Sequence, residues 1–196
     1  MQHTSNDSKK QVSRFIRSFL GLGIFSSALT ILFLGMRAVM MVGGFCAEGG
    51  PYEIAIPCPQ GIAALMPLSI LVMFIGGGLY FSAPLKNGPR WGFLFWSALF
   101  VSLGWNFFEF AIYPPMGEGI AIAWIVCGVI FVIMGLAPIL LISRVNAFKI
   151  MFGLKETNSF VSSTSIFTSK KIALLMHFIA VASGVYFGLK LYALFT

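Results

Sequence analysis

Five stretches of this chain are apolar for about the length of a membrane crossing: residues 18 to 43, 62 to 84, 91 to 113, 119 to 143 and 171 to 194. A hydrocarbon layer about 30 Å thick takes about 20 such residues per helix. Lipid offers no hydrogen-bond partners to the backbone, so each stretch must satisfy its own peptide groups, which a helix does. A membrane barrel is excluded, since its strands are short and alternate in polarity. Of 196 residues, 58% are hydrophobic and only 10% charged, too few charges to solvate the surface of a soluble domain. The expected fold is an all-α integral membrane bundle of five transmembrane helices, a four-helix core plus a C-terminal span.

The first span follows Lys9, Lys10, Arg14 and Arg17. A cleaved signal peptide has a shorter apolar run and a small-residue cleavage site, and neither is present here, so the span is read as retained. With the N-terminus cytoplasmic, the inner segments hold those four residues, then Lys86 and Arg90, then Arg144, Lys149, Lys155, Lys170 and Lys171. The outer loops then hold only the acidic Glu48, Glu53 and Glu118. The positive-inside rule therefore gives an N-in, C-out topology. The net charge of +7 is a topology signal and an attraction to anionic headgroups, not a nucleic-acid footprint. The chain divides into a cytoplasmic basic tail (1–17), a membrane core (18–143) with an extracytoplasmic loop at 44–61, a cytoplasmic segment (144–170) and the last span (171–196). Within the tail, Met1 to Gln11 is polar and expected to be disordered. Arg144 to Glu156 mixes basic and apolar residues as an interfacial amphipathic helix does. Thr157 to Ser169 is a Ser/Thr-rich linker, which makes the fifth span look like an appendage.

The loop "GGFCAEGGPYEIAIPCPQG", Gly43 to Gly61, has the composition of a built surface. Outside the cytoplasm thiols oxidise, so Cys46 and Cys58 are expected to form a disulfide. Pro51, Pro57 and Pro59 stiffen the segment, and Glu48, Tyr52 and Glu53 give it an acidic, aromatic face. The alternative is a redox-active pair, although such pairs usually have two residues between the cysteines rather than eleven. Two cysteines without histidine make an incomplete zinc site, so no metal is assigned. Cys127 sits mid-span and reads as a small hydrophobe.

The pattern G-G-x-C-A-x-G-G-P-Y-x-I-A-x-x-C-P from Gly43 to Pro59 resembles a loop found in a family of small bacterial polytopic membrane proteins to which no activity is assigned. The resemblance implies a bacterial plasma-membrane location and carries no site or substrate.

Two charged side chains are read at membrane depth, Arg37 in span 1 and Glu109 in span 3, and such residues are functional candidates by default. Both fall near the outer boundary on parallel spans, so each is expected to partner the other. Ser102, Asn106, Glu109 and Tyr113 share one helical stripe, as do Ser26, Thr30 and Arg37. The two stripes are expected to face each other. The arrangement is either an ion pair that fixes helix packing or a polar cavity that binds a headgroup, ion or proton. His177 shares a face with Gly184 and Gly188, the spacing of close helix packing. A bis-histidine haem site lacks its second ligand, since His3 lies in the polar tail, so no cofactor is assigned.

No nucleotide loop, zinc-protease motif, nucleophile elbow or intramembrane aspartate pair is present. The leading expectation is a non-enzymatic accessory, assembly or scaffolding subunit. Its partners are membrane lipids and a larger membrane complex or further copies of itself. The alternatives are an oligomeric channel or small transporter using Arg37, Asn106 and Glu109, and a membrane thiol oxidoreductase using Cys46 and Cys58.

Overall fold

The computed structural model describes residues 2–43, 46, 56–83, 91–115, 119–143 and 170–196. Among these residues there are five α-helices and no strand: α1 Gln2–Met41, α2 Ile62–Ser82, α3 Leu94–Ile112, α4 Ile122–Ser143 and α5 Lys170–Phe195. A 3-10 turn, Trp91–Phe93, leads into α3. Each helix holds a stretch long and apolar enough to cross a membrane, so the chain is an all-α, multi-pass membrane protein. The amphipathic segment, the Ser/Thr-rich linker, Lys86, Arg90 and Glu118 lie outside the described residues.

α1 has 40 residues and is therefore about 60 Å long, twice the hydrocarbon thickness. The polar stretch expected to be a disordered tail is helical from Gln2 onward. The physical reason is propagation: a helix already formed in the apolar span extends at one hydrogen bond per residue, and no Gly or Pro interrupts residues 2 to 17. Lys9, Lys10, Arg14 and Arg17 are all exposed on this extension.

α1 is the hub of the bundle. α2 packs antiparallel to it through glycines at which the two backbones meet. A Cβ added to Gly76 would stand 2.6 Å from the Phe25 nitrogen, and one added to Gly21 would stand 2.7 Å from the Gly76 carbonyl oxygen. α5 packs parallel to α1 along its length, with Gly188 against Ser27 and Thr30 and Gly184 against Gly23 and Ser26. The last span is thus part of the central unit and not an appendage, because small residues on both helices let their backbones close up. α3 leans on α1 by fewer contacts, and α4 packs chiefly on α3, where Gly104, Gly128 and Gly135 make room for Val132, Phe108 and Val101.

Leu22, Phe25, Ala28, Met73, Tyr80, Phe95 and Ala180 form a buried cluster in which four of the five helices meet. The rings of Phe25 and Phe95 stack at 3.8 Å, joining α1 to α3 near the Ser82 end of the bundle. Toward the Met41 end the same two helices are joined by charge.

Candidate functional site

Arg37 lies four residues before the end of α1 and Glu109 three before the end of α3. At 1.5 Å per residue both stand about 5 Å inside their helix ends. α3 stops there because Pro114 and Pro115 follow, and the Tyr113 N–H closes the last turn onto the Glu109 carbonyl oxygen at 2.9 Å. With α1 and α3 parallel, the two side chains meet at one level. Arg37 Nη1 donates to Glu109 Oε2 and Nη2 to Oε1, each at 2.6 Å, a bidentate, charge-assisted pair. The guanidinium carbon stands 5.7 Å from the Phe33 ring centre and 5.2 Å from that of Phe110.

Asn106, one turn earlier on α3, is fully buried. Its amide donates to the Phe33 carbonyl oxygen at 3.1 Å, and its Oδ1 receives a long hydrogen bond of 3.4 Å from Arg37 Nη1. Both ends of the amide are therefore used between α1 and α3, which fixes its orientation. The Trp105 indole donates to Glu109 Oε2 at 3.2 Å. The side chains of Arg37 and Glu109 remain 29% and 34% exposed, so the pair sits at the edge of the bundle rather than in its centre.

Not every residue of the expected stripes takes part. The Ser102 hydroxyl donates to the Leu99 carbonyl oxygen of its own helix at 2.9 Å, and Tyr113 is exposed beyond the helix end. Ser26 and Thr30 bond back to Leu22 and Ser26 and lie against α5, not α3. Short hydroxyls reach their own i−3 or i−4 carbonyl before they reach a neighbour, whereas the long Arg37 side chain extends to α3. Lys190, on the outward side of α5, is a further charge within the apolar runs that the count of two omits. Its ammonium stands 5.8 Å from the Tyr186 ring centre, and a lysine this near a helix end carries its charge to the boundary on its flexible stem.

Toward the other end a second buried polar group joins three elements. His177, on α5, is buried, and its Nδ1 lies 2.7 Å from the Ala173 carbonyl oxygen. A carbonyl only accepts, so Nδ1 carries the proton and Nε2 is the acceptor. Nε2 then receives the Tyr80 hydroxyl at 3.2 Å, and that hydroxyl accepts the Trp91 N–H at 2.9 Å. The chain from Trp91 through Tyr80 to His177 thus has one consistent direction of donation, linking α2, the entry to α3, and α5. Gly184 and Gly188 continue the His177 face as packing residues against α1.

Cys46 and Cys58 are disulfide-bonded, with Cα atoms 4.9 Å apart, and Cys127 is a free, half-buried thiol on α4. Glu48, Pro51, Tyr52 and Glu53 lie outside the described residues. Gly61, at the end of the loop, adopts φ +78°, and a Cβ there would stand 2.6 Å from the Phe195 carbonyl oxygen, so the starts of α2 and the end of α5 touch. No protein-family model, curated protein or solved structure matches the chain.

Proposed function

We propose that this chain is a non-enzymatic accessory, assembly or scaffolding subunit of a bacterial plasma membrane, with its N-terminus cytoplasmic. The observation that carries the reading is the way the intramembrane polar groups engage one another. Both Glu109 oxygens are taken by Arg37 and Trp105, and the buried Asn106 bridges the Phe33 carbonyl and Arg37. A nucleophile or base needs a group held ready for a substrate, whereas here the strongest acceptor is already neutralised by its partner. The outward face of α4, where Val126, Ile130 and Ile133 are exposed, is apolar surface that lipid or the helix of a larger complex can cover.

A transport reading has one observation in its favour, the partial exposure of Arg37 and Glu109. The two readings separate on purification of the tagged protein from its own membranes in a mild detergent, with mass spectrometry of what accompanies it. The accessory role predicts a larger membrane protein in fixed proportion. Recovery as a homo-oligomer that passes ions in vesicles, with flux lost in Glu109→Gln at undiminished protein, would replace that role with transport.

A further inference from the structure

A guanidinium has two edges able to grip an oxyanion, one between Nη1 and Nη2 and one between Nε and Nη2. Glu109 occupies the first edge of Arg37, and Asn106 lies against the outer side of Nη1. The Nε hydrogen and the second Nη2 hydrogen have no partner among the described residues. This open edge belongs to a side chain that is 29% exposed and stands about 6 Å inside the end of α1, a distance comparable to the thickness of a headgroup layer. What is missing there is an acceptor: Glu109 Oε2 already receives two donors, so the group does not ask for a cation.

We propose that the Nε/Nη2 edge of Arg37 holds a phosphate-ester oxyanion, supplied by a phospholipid headgroup of the adjoining leaflet. The planar fork matches two phosphate oxygens, as a lysine ammonium does not. The exposed Trp105 beside it is a residue type that settles at the headgroup level. Because Glu109 neutralises the guanidinium, the lipid is held by directed hydrogen bonds more than by net charge, and added salt weakens its retention little. That separates this site from the basic residues of the α1 extension, which attract anionic lipid through charge alone. The inference stands whether or not the chain serves a larger complex.

The test is native mass spectrometry of the delipidated full-length protein in detergent, titrated with dioleoylphosphatidylethanolamine, with dioleoylglycerol and with inorganic phosphate. The expected result is a first phospholipid adduct at about tenfold lower concentration than the diacylglycerol adduct, with an equal shift lost in Arg37→Lys, which keeps a cation for Glu109. Lys9→Gln/Lys10→Gln leaves that adduct unchanged. Equal adducts with phospholipid and diacylglycerol in the wild type overturn the proposal without need of any variant, as does loss of the adduct in the Lys9/Lys10 variant. Displacement of the lipid by excess inorganic phosphate keeps the oxyanion edge and overturns the lipid as its source.

Discussion

The Trp96 indole donates to the carbonyl oxygen of Met134 across the α3–α4 interface at 3.1 Å. Met134 is four residues before Pro138, which has no N–H, so this is the carbonyl that the proline leaves without its helical donor. An orphaned carbonyl in lipid has no water to turn to, and a tryptophan from the neighbouring helix supplies the hydrogen bond. The same contact pins α4 to α3, the helix on which it chiefly packs.

Trp96→Phe should therefore lower the thermal midpoint in detergent, by about 1 kcal/mol of stability if this bond resembles other hydrogen bonds within membranes. Pro138→Ala restores the helical donor, so the same Trp96→Phe change in that background should cost measurably less. A double-mutant cycle on midpoint temperatures checks it, and two additive single effects would remove the explanation.

Breaking the Arg37–Glu109 pair should separate the α3–α4 hairpin from the central helices. Glu109→Ala takes the acceptor from the Nη1/Nη2 edge of the guanidinium and should cost about 2 kcal/mol, a figure reduced from that of a fully buried pair because both side chains are about one third exposed. The reversed pair, Arg37→Glu/Glu109→Arg, should recover part of the monodisperse protein on size exclusion. If the single variants give wild-type yield and midpoint, the pair is not what joins the two units.

The glycines of α2 give a sharper contrast because Gly76 and Gly78 lie in one run of three and differ in surroundings. Gly76→Ala puts a methyl 2.6 Å from the Phe25 backbone nitrogen, which cannot move without displacing α1, while Gly78 has nothing within 4 Å of its Cβ position. The first change should cost about 1 to 3 kcal/mol as overpacking, and Gly78→Ala should be neutral or slightly stabilising. Thermal midpoints of the two variants decide the matter; a loss in both would mean that helix flexibility, and not the close approach, is what the run provides.

How much of this could be read beforehand follows from the same contacts. Helix number and placement were legible because length and apolarity are local properties of each run. Which helix faces which was legible only for α1 and α3, through Arg37 and Glu109; elsewhere partner choice falls to small residues such as Gly21, Gly76 and Gly188, whose spacing marks a close face without naming its partner. Periodicity placed Ser102 and Tyr113 on the Glu109 stripe, but sharing a face is not making a contact, and Ser102 bonds its own helix. Trp105 and Phe33 could have been found, since each lies one turn before the charge it attends. The Tyr80–His177 contact, across 97 residues, left no local trace.

That contact also yields the least expected of the stability effects. Tyr80 is buried and its hydroxyl works in both directions, accepting the Trp91 N–H and donating to His177 Nε2. Tyr80→Phe removes one oxygen and with it the donor to the buried His177 Nε2 and the acceptor of the half-buried Trp91 N–H, so it should cost about 1 to 3 kcal/mol. Ser102→Ala deletes a hydroxyl that only returns to its own helix and should change little. Restoring part of the loss in Tyr80→Phe by His177→Leu, which removes the unpaired Nε2, would confirm that the two side chains act as one chain of hydrogen bonds. Equal midpoints for Tyr80→Phe with and without His177→Leu would show that the hydroxyl serves Trp91 alone.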